Sequence, residues 1–516
     1  MLRRALLAFA LTGMAWAVPA PEWLPQQDLS RRQEFIDREA DWRNGAVVYQ
    51  IFVDRFAPSR HLDQKHYESP RKLRPWSENP VAGTYLKEAG VWSHEVDYWG
   101  GDLDSVRSKL DYLQGLGVDV VYLNPIFESL TNHKYDAWDY HKVDPVYGTR
   151  KDVADLAADL HGRKMKLMLD GVFNHVGKRS PYLKEHPDFF KLKDGQPISW
   201  LDVENLPELQ LENPKVREFL YGSTTSVVQS YLRQEKIDGW RLDVAFDLGF
   251  RYLSELTKAA HEARPGCDII GEIWNYPEDW YPAVDGVMNM HGRVVLLRLL
   301  EGKLRGPVAS AMWESMVADA GYEHLLKAWL VLDNHDTPRL NHILKQGWQV
   351  EMARILQFTL PGSPVIYYGS ELDMPGGDDP ANRAPMRWEQ ATDSNKMLAL
   401  HRKLIQLRKG EPALRIGDFR RLHSDKCFAF LRKTLSAKET VVVVANPSDQ
   451  PVEEFFQLRD GKLQDVTKMK DLLGSSVAPT IYGGSIEMTL QPHQVVVLKP
   501  DVTPMPKGYD RYDRMP

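Results

Sequence analysis

The sequence predicts an α/β protein: a closed (β/α)8 barrel followed by an antiparallel β-sandwich. Short apolar runs fit for buried parallel strands alternate with helical patterns eight times between about residues 45 and 415. Several of these runs end in acids, as barrel strands do where they feed an active face. From about Gly417 the pattern changes to β-rich runs, Lys426 to Arg432, Thr440 to Ala445 and Gln494 to Lys499, which suits a separate sandwich.

At 516 residues the chain is too long for one ordinary core, and a barrel plus a second domain accounts for its length. A formal net charge of −6 leaves no basic footprint for nucleic acid or an anionic membrane. The first seventeen residues join a basic start, Arg3-Arg4, to an apolar run ending Ala-Trp-Ala at position 17. They read as a cleavable signal peptide, with Ala20 as the alternative cut, and place the protein in a secreted or periplasmic compartment. No later apolar stretch is long enough to span a membrane. Cys267 and Cys427 are the only cysteines, and two isolated cysteines specify neither a disulfide nor a zinc site.

Taken in order, the strands are Val47–Val53, Val118–Leu123, Lys166–Asp170, a run through Gly239–Asp243, Cys267–Glu272, Ala283–Met288, Ala328–Leu332 and Pro364–Tyr367. The polar loop 57–97 is too long for an ordinary βα connection and suits a cleft wall. Leu103, Val106, Leu110, Leu113 and Leu116 mark one helical face. The loop 132–140 is rich in His, Tyr and Trp, whose flat faces and polar edges suit sugar rings. Further helices are expected from about Pro214, over 249–263, between 294 and 320, and over 350–358.

Chemistry concentrates at strand ends. Arg241 and Asp243 stand two apart, so they share a face, and an arginine beside a carboxylate favours its ionised form. Alone, such a pair is an ordinary ion pair. Asp170, Glu272 and Asp333 close other strands, and with His175, Arg241 and His335 the set reads as a site. Neither histidine has metal-ligand spacing.

Asp170-Gly-Val-Phe-Asn-His175, Gly239-Trp-Arg-Leu-Asp-Val244, Gly271-Glu-Ile-Trp274 and Asp333-Asn-His-Asp-Thr-Pro-Arg339 resemble, in order and spacing, the four signature regions of the α-amylase family, glycoside hydrolase family 13. The resemblance covers about residues 45–500 and implies catalytic roles for Asp243 as nucleophile, Glu272 as acid and base, and Asp336 as the third carboxylate. It implies substrate contacts from His133, Tyr135, His175, Arg241 and His335, and support from Asp170, Asn174 and Arg339. The reaction implied is retaining hydrolysis of α-1,4-glucosidic bonds in maltodextrins, with a raised pKa on Glu272 and a low one on Asp243. A glucanotransferase or isomerase would share the intermediate. A non-catalytic sugar binder would not need the nucleophile and acid.

The resemblance also sets boundaries: lead-in 18–44, barrel 45–175 and 214–415, a small domain B inserted at 176–213, sandwich 416–500 and tail 501–516. Leu206-Pro-Glu-Leu-Gln210 and Gly376–Arg383 resemble the cyclomaltodextrinase, neopullulanase and maltogenic amylase subgroup, although Glu208 and Gln210 depart from its pattern. That subgroup carries an N-terminal β-domain that makes its dimer. Only a short stretch precedes the first strand here, so a monomer is expected. The chemistry requires no cofactor. The subgroup implies a structural Ca2+ touching Gly101 and Asp102, but the loop 57–63 lacks the asparagines of that pattern.

Overall fold

The computed structural model describes residues 26–502 and 512. The signal-peptide reading of residues 1–17 and most of the tail lie outside the described residues. Eight parallel strands close the barrel: β1 (Val48–Ile51), β2 (Val120–Leu123), β3 (Lys166–Gly171), β4 (Gly239–Leu242), β5 (Asp268–Ile273), β6 (Gly286–Asn289), β7 (Trp329–Val331) and β8 (Ser363–Tyr367). Each pairs with the next in sequence, and β8 closes on β1 with Val365 opposite Val48.

Side-chain alternation divides the barrel interior by height. Val48, Val120, Tyr122, Met168, Ile270, Met288, Trp329, Val331 and Val365 form its apolar filling. Two residues further along the same strands stand Gln50 above Val48, Asp170 above Met168 and Glu272 above Ile270. Gly239 lets β4 approach β5, since a Cβ there would lie 2.1 Å from the Asp268 carbonyl oxygen. Outside, a continuous apolar layer joins the strands to their helices.

The helical face predicted through Leu116 is broken into Leu103–Arg107 and Leu110–Leu116, with Asp102 capping the first. The helix expected from Gly249 starts earlier, at Ala245, and kinks at Gly249, whose φ is +75°. The lead-in contains a helix, Gln26–Ala40, that its polar sequence did not announce. Its buried Arg38 pairs with Glu34, Glu323 and Asp418 and lies over the Phe35 and Tyr322 rings, which docks the helix.

Strands β9 (Asp418–Arg421), β10 (Phe428–Lys433), β11 (Val441–Ala445), β12 (Val452–Gln457), β13 (Met469–Asp471), β14 (Ser485–Leu490) and β15 (Val495–Pro500) follow the barrel. They form an antiparallel sheet of order β9-β10-β11-β15-β13 and a separate β12-β14 pair, with a second apolar cluster between them. The domain seats on the barrel through helix Gly306–Ala320, where a Cβ on Gly306 would lie 2.5 Å from the Cys427 carbonyl carbon. Cys267 and Cys427 are both free and buried, and burial pushes both thiols up to about 12. Among the described residues no helix is long and apolar enough to cross a membrane.

Candidate active site

The polar upper layer of the barrel is built around Arg241, which is fully buried at the end of β4. One of its terminal nitrogens lies 2.9 Å from Asp243 Oδ1 and 2.9 Å from Asp170 Oδ1, and the other lies 2.9 Å from Glu272 Oε2. Arg241 therefore pairs with Asp243, with which its spacing gives it a shared face, and also holds the acids at the ends of β3 and β5. That last contact depends on inter-strand register, which the spacing within β4 does not show.

Glu272 has two hydrogen-bond donors and one ion-pair partner. Trp274 Nε1–H donates to Oε1 at 3.0 Å and the Val244 backbone N–H donates to Oε2 at 3.0 Å, beside the Arg241 ion pair. To aim that N–H, Val244 adopts φ +39°, a left-handed conformation unfavourable for a β-branched residue. Strain of this kind collects where surrounding structure fixes a functional geometry.

The low pKa expected for Asp243 is corrected by the structure. Burial raises its carboxyl well above the usual carboxylate range; Arg241 opposes the shift, while Glu272, Asp170 and Asp336 reinforce it. One guanidinium shared among three carboxyls does not offset their burial. Asp170 is raised for the same first reason, against the pull of Arg241 and hydrogen bonds from Tyr122 and Tyr135.

A second network fixes the aromatic wall. Tyr135 Oη donates to Asp170 Oδ2 at 2.8 Å and accepts from Asn124 Nδ2 at 3.0 Å; it lies 2.6 Å from His335 Nε2. Gln50 Nε2 donates to Asn124 Oδ1 and to His335 Nδ1, both at 3.0 Å, which places the His335 proton on Nε2. The His335 and Tyr135 rings stack at 5.2 Å, nearly parallel. Burial, then the nearby Arg383 and Arg241 cations, keep His335 neutral. Burial also lowers His175 to about 4; its Nε2 lies 3.2 Å from the Tyr135 carbonyl oxygen, its Nδ1 lies 3.4 Å from Asn174 Nδ2, and Trp200 stacks on its ring.

His133 stands behind the site: its ring stacks on Tyr135 at 5.8 Å, and its Nε2 faces Glu95 at 3.4 Å. Between them Lys134 is wholly buried on Asp144, Tyr98 and Thr131, anchoring the loop from below.

Asp336 lies at the open edge, its side chain 36% exposed, 3.1 Å from His335 Nε2 and 3.7 Å from Arg383. The loop after β8 supports it from behind, because Asn382 Nδ2 and Arg383 Nε donate to the His335 carbonyl at 2.7 and 3.0 Å. Arg339 touches none of the acids; it donates to the Asn382 and Tyr368 carbonyls and so ties that loop to the barrel. Asp333 resembles the other strand-end acids in sequence but turns away, paired with the buried Arg354 at 2.9 Å. The Gly101–Asp102 corner does not fit a calcium ion, because the ammonium of Lys65 lies 2.8 Å from the Asp102 carboxylate. Among the described residues no group of three or more His, Cys, Asp and Glu is placed to hold a metal.

These groups open into a cavity of about 360 Å³ lined by Tyr135, His175, Asp243, Glu272, Trp274 and Asp336, with Trp200, Leu201 and Leu206 closing it from the insertion. Sequence reasoning missed Gln50, Asn124 and Tyr122, single polar groups in strands without a motif to mark them. An apolar floor, three carboxyls and an aromatic wall at the carboxyl ends of barrel strands define a sugar-processing hydrolase site.

Comparison with known proteins agrees. The "Alpha amylase, catalytic domain" family matches residues 50–201 and 196–417, and the "Maltogenic Amylase, C-terminal domain" family matches 419–497. The chain belongs to the α-amylase family of glycoside hydrolases. It is 30% identical to the cyclomaltodextrinase of Thermoanaerobacter pseudethanolicus over 491 residues, covering 89% of this chain and 78% of that one. It is 30% identical to neopullulanase 2 of Thermoactinomyces vulgaris, with the same coverages. The structure of the type III pullulan hydrolase of Thermococcus kodakarensis superposes with a TM-score of 0.76 at 28% identity, over 89% of this chain and 82% of that one.

Proposed function

We propose that the protein is a retaining α-glucan hydrolase that cleaves α-1,4-glucosidic bonds of maltodextrins through a covalent glycosyl-enzyme. The observation that carries this reading is the single guanidinium of Arg241 holding both Asp243 and Glu272 at 2.9 Å. A shared cation favours the shorter of the two carboxyl separations known for glycosidases, about 5 Å, which leaves no room for an attacking water between the second carboxylate and the sugar.

Asp243 attacks the anomeric carbon while Glu272 protonates the leaving glycosidic oxygen; Glu272 then takes a proton from water as that water displaces Asp243. Asp336 and His335, joined at 3.1 Å, are placed to grip sugar hydroxyls beside the reacting centre. The exposed Trp274, 45% accessible, offers a flat apolar face next to Glu272 for the leaving sugar. The likeness to a cyclomaltodextrinase and a neopullulanase supports cyclomaltodextrins and pullulan as further substrates. The basic, apolar N-terminal run supports action outside the cytoplasm.

Chromatography of products from maltoheptaose, β-cyclodextrin and pullulan, beside Asp243→Asn, tests the reading. Short maltooligosaccharides from wild type alone are expected. Absence of turnover on all three would overturn it, and transfer products exceeding hydrolysis would assign the same intermediate to a transferase.

A further inference from the structure

The corner where the resemblance places calcium is built for a different cation. Lys65 comes from the long loop after β1, and its side chain is largely buried at the carboxyl-terminal end of the barrel. There Nζ donates to the Val146 carbonyl at 2.7 Å and to the Gly100 carbonyl at 3.2 Å, and lies 2.8 Å from Asp102 Oδ2. Three N–H donors meet three oxygens, which satisfies an ammonium. Calcium takes six to eight oxygens at about 2.3–2.6 Å, and the three oxygens that meet Nζ are engaged by the ammonium.

The remaining groups nearby are committed. Asp102 Oδ1 accepts from Ser105 N–H at 2.7 Å, capping helix Leu103–Arg107. Asp54, the neighbouring acid, accepts the N–H groups of Trp99 and Gly100 and pairs with Arg55, so its oxygens face donors. Both Lys65 and Asp102 side chains are only 10% exposed, so water competes weakly for the contact. Burial works to raise the Asp102 carboxyl, but Lys65 and the helix N–H hold it below the usual range.

We propose that Lys65 is a built-in cation that takes the place of a structural calcium, tying the loops after β1 and β2 to the helix start at Asp102 and freeing this face of the barrel from divalent metal. It joins three chain segments, the role a bound ion would otherwise play, and stays in place under any metal concentration.

Metal analysis and thermal melting of the full chain test this without any activity measurement. Purified wild type is expected to carry no stoichiometric calcium and to melt at the same temperature in excess EDTA and in excess CaCl2. Lys65→Met keeps the apolar stem but removes the charge, and is expected to lower Tm by at least about 2 °C. Lys72→Met, an exposed lysine in the same loop, is expected to leave Tm unchanged. Stoichiometric calcium in wild type, a fall in Tm on chelation, or a Lys65→Met protein melting with wild type would each overturn the proposal. Because the chelation arm uses wild type, it decides the matter even where Lys65→Met does not fold.

Discussion

Arg241→Met removes the cation on which the site is assembled while nearly preserving side-chain volume. In the wild type this guanidinium lies within 2.9 Å of Asp170, Asp243 and Glu272, with its side chain wholly buried. Losing one partner of a buried ion pair costs about 3–5 kcal/mol. Here Asp243 and Asp170, both already raised by burial, relieve that cost by keeping their protons, so much of the loss falls on the ionised state the nucleophile needs. Taking the lower figure, about 3 kcal/mol of lost transition-state stabilisation lowers kcat/KM roughly a hundredfold. The sign for pH follows from Asp243. Its carboxyl is already raised by burial and Arg241 opposes that shift; deleting the cation raises it further, and the acid limb of kcat/KM against pH moves to higher pH. Initial rates on maltoheptaose across pH, with circular dichroism to confirm folding, give both readouts. An Arg241→Met protein within tenfold of wild type and with an unmoved acid limb would refute the reasoning.

Asp243→Asn is expected to lower kcat by at least about 10³-fold and yet to raise Tm at neutral pH by about 2 °C. The folded-state pKa of Asp243 is raised, so folding favours its protonated form, and stability is lost as pH rises from the unfolded value through the folded one. The neutral amide escapes that loss, and differential scanning calorimetry at pH 7 shows whether it does. His401, buried on helix Lys396–Gly410 away from the cavity, is lowered to about 3 by burial. Its stabilising effect is complete above the unfolded pKa near 6.5 and drains away as pH falls, by about 2 kcal/mol at pH 5 for each such histidine. His401→Leu should therefore lose less stability than wild type between pH 7 and pH 5 in urea titrations; an unchanged pH dependence would count against it.

The strand-end acids were legible because a strand's period of two puts a polar residue directly above an apolar one on the same inward row. Asp170 above Met168 and Glu272 above Ile270 need only that rule. Asp333 fails it for a visible reason: β7 ends at Val331, two residues short, so alternation no longer governs where the side chain points and Arg354 captures it. Gln50 and Asn124 were hidden because a lone amide in an apolar run has no pattern. The Gln50 bond to His335 joins β1 to the loop after β7, a contact that only barrel closure brings about.

The raised Asp243 carboxyl marks a deeper limit of reading charge from neighbours in sequence. Two residues apart on one strand, Arg241 and Asp243 look like a self-contained pair whose cation should hold the carboxyl low. In the folded barrel that cation is divided among acids from three adjacent strands, and the dry floor beneath them penalises every ionised form. Charge balance over the cluster, one guanidinium against three carboxyls, leaves the Asp243 and Asp170 carboxyls raised. A sugar approaching the carbocation-like state brings positive charge to this excess of carboxyls. In the proposed reaction the same imbalance favours the transition state over the ground state, which is the condition for catalysis.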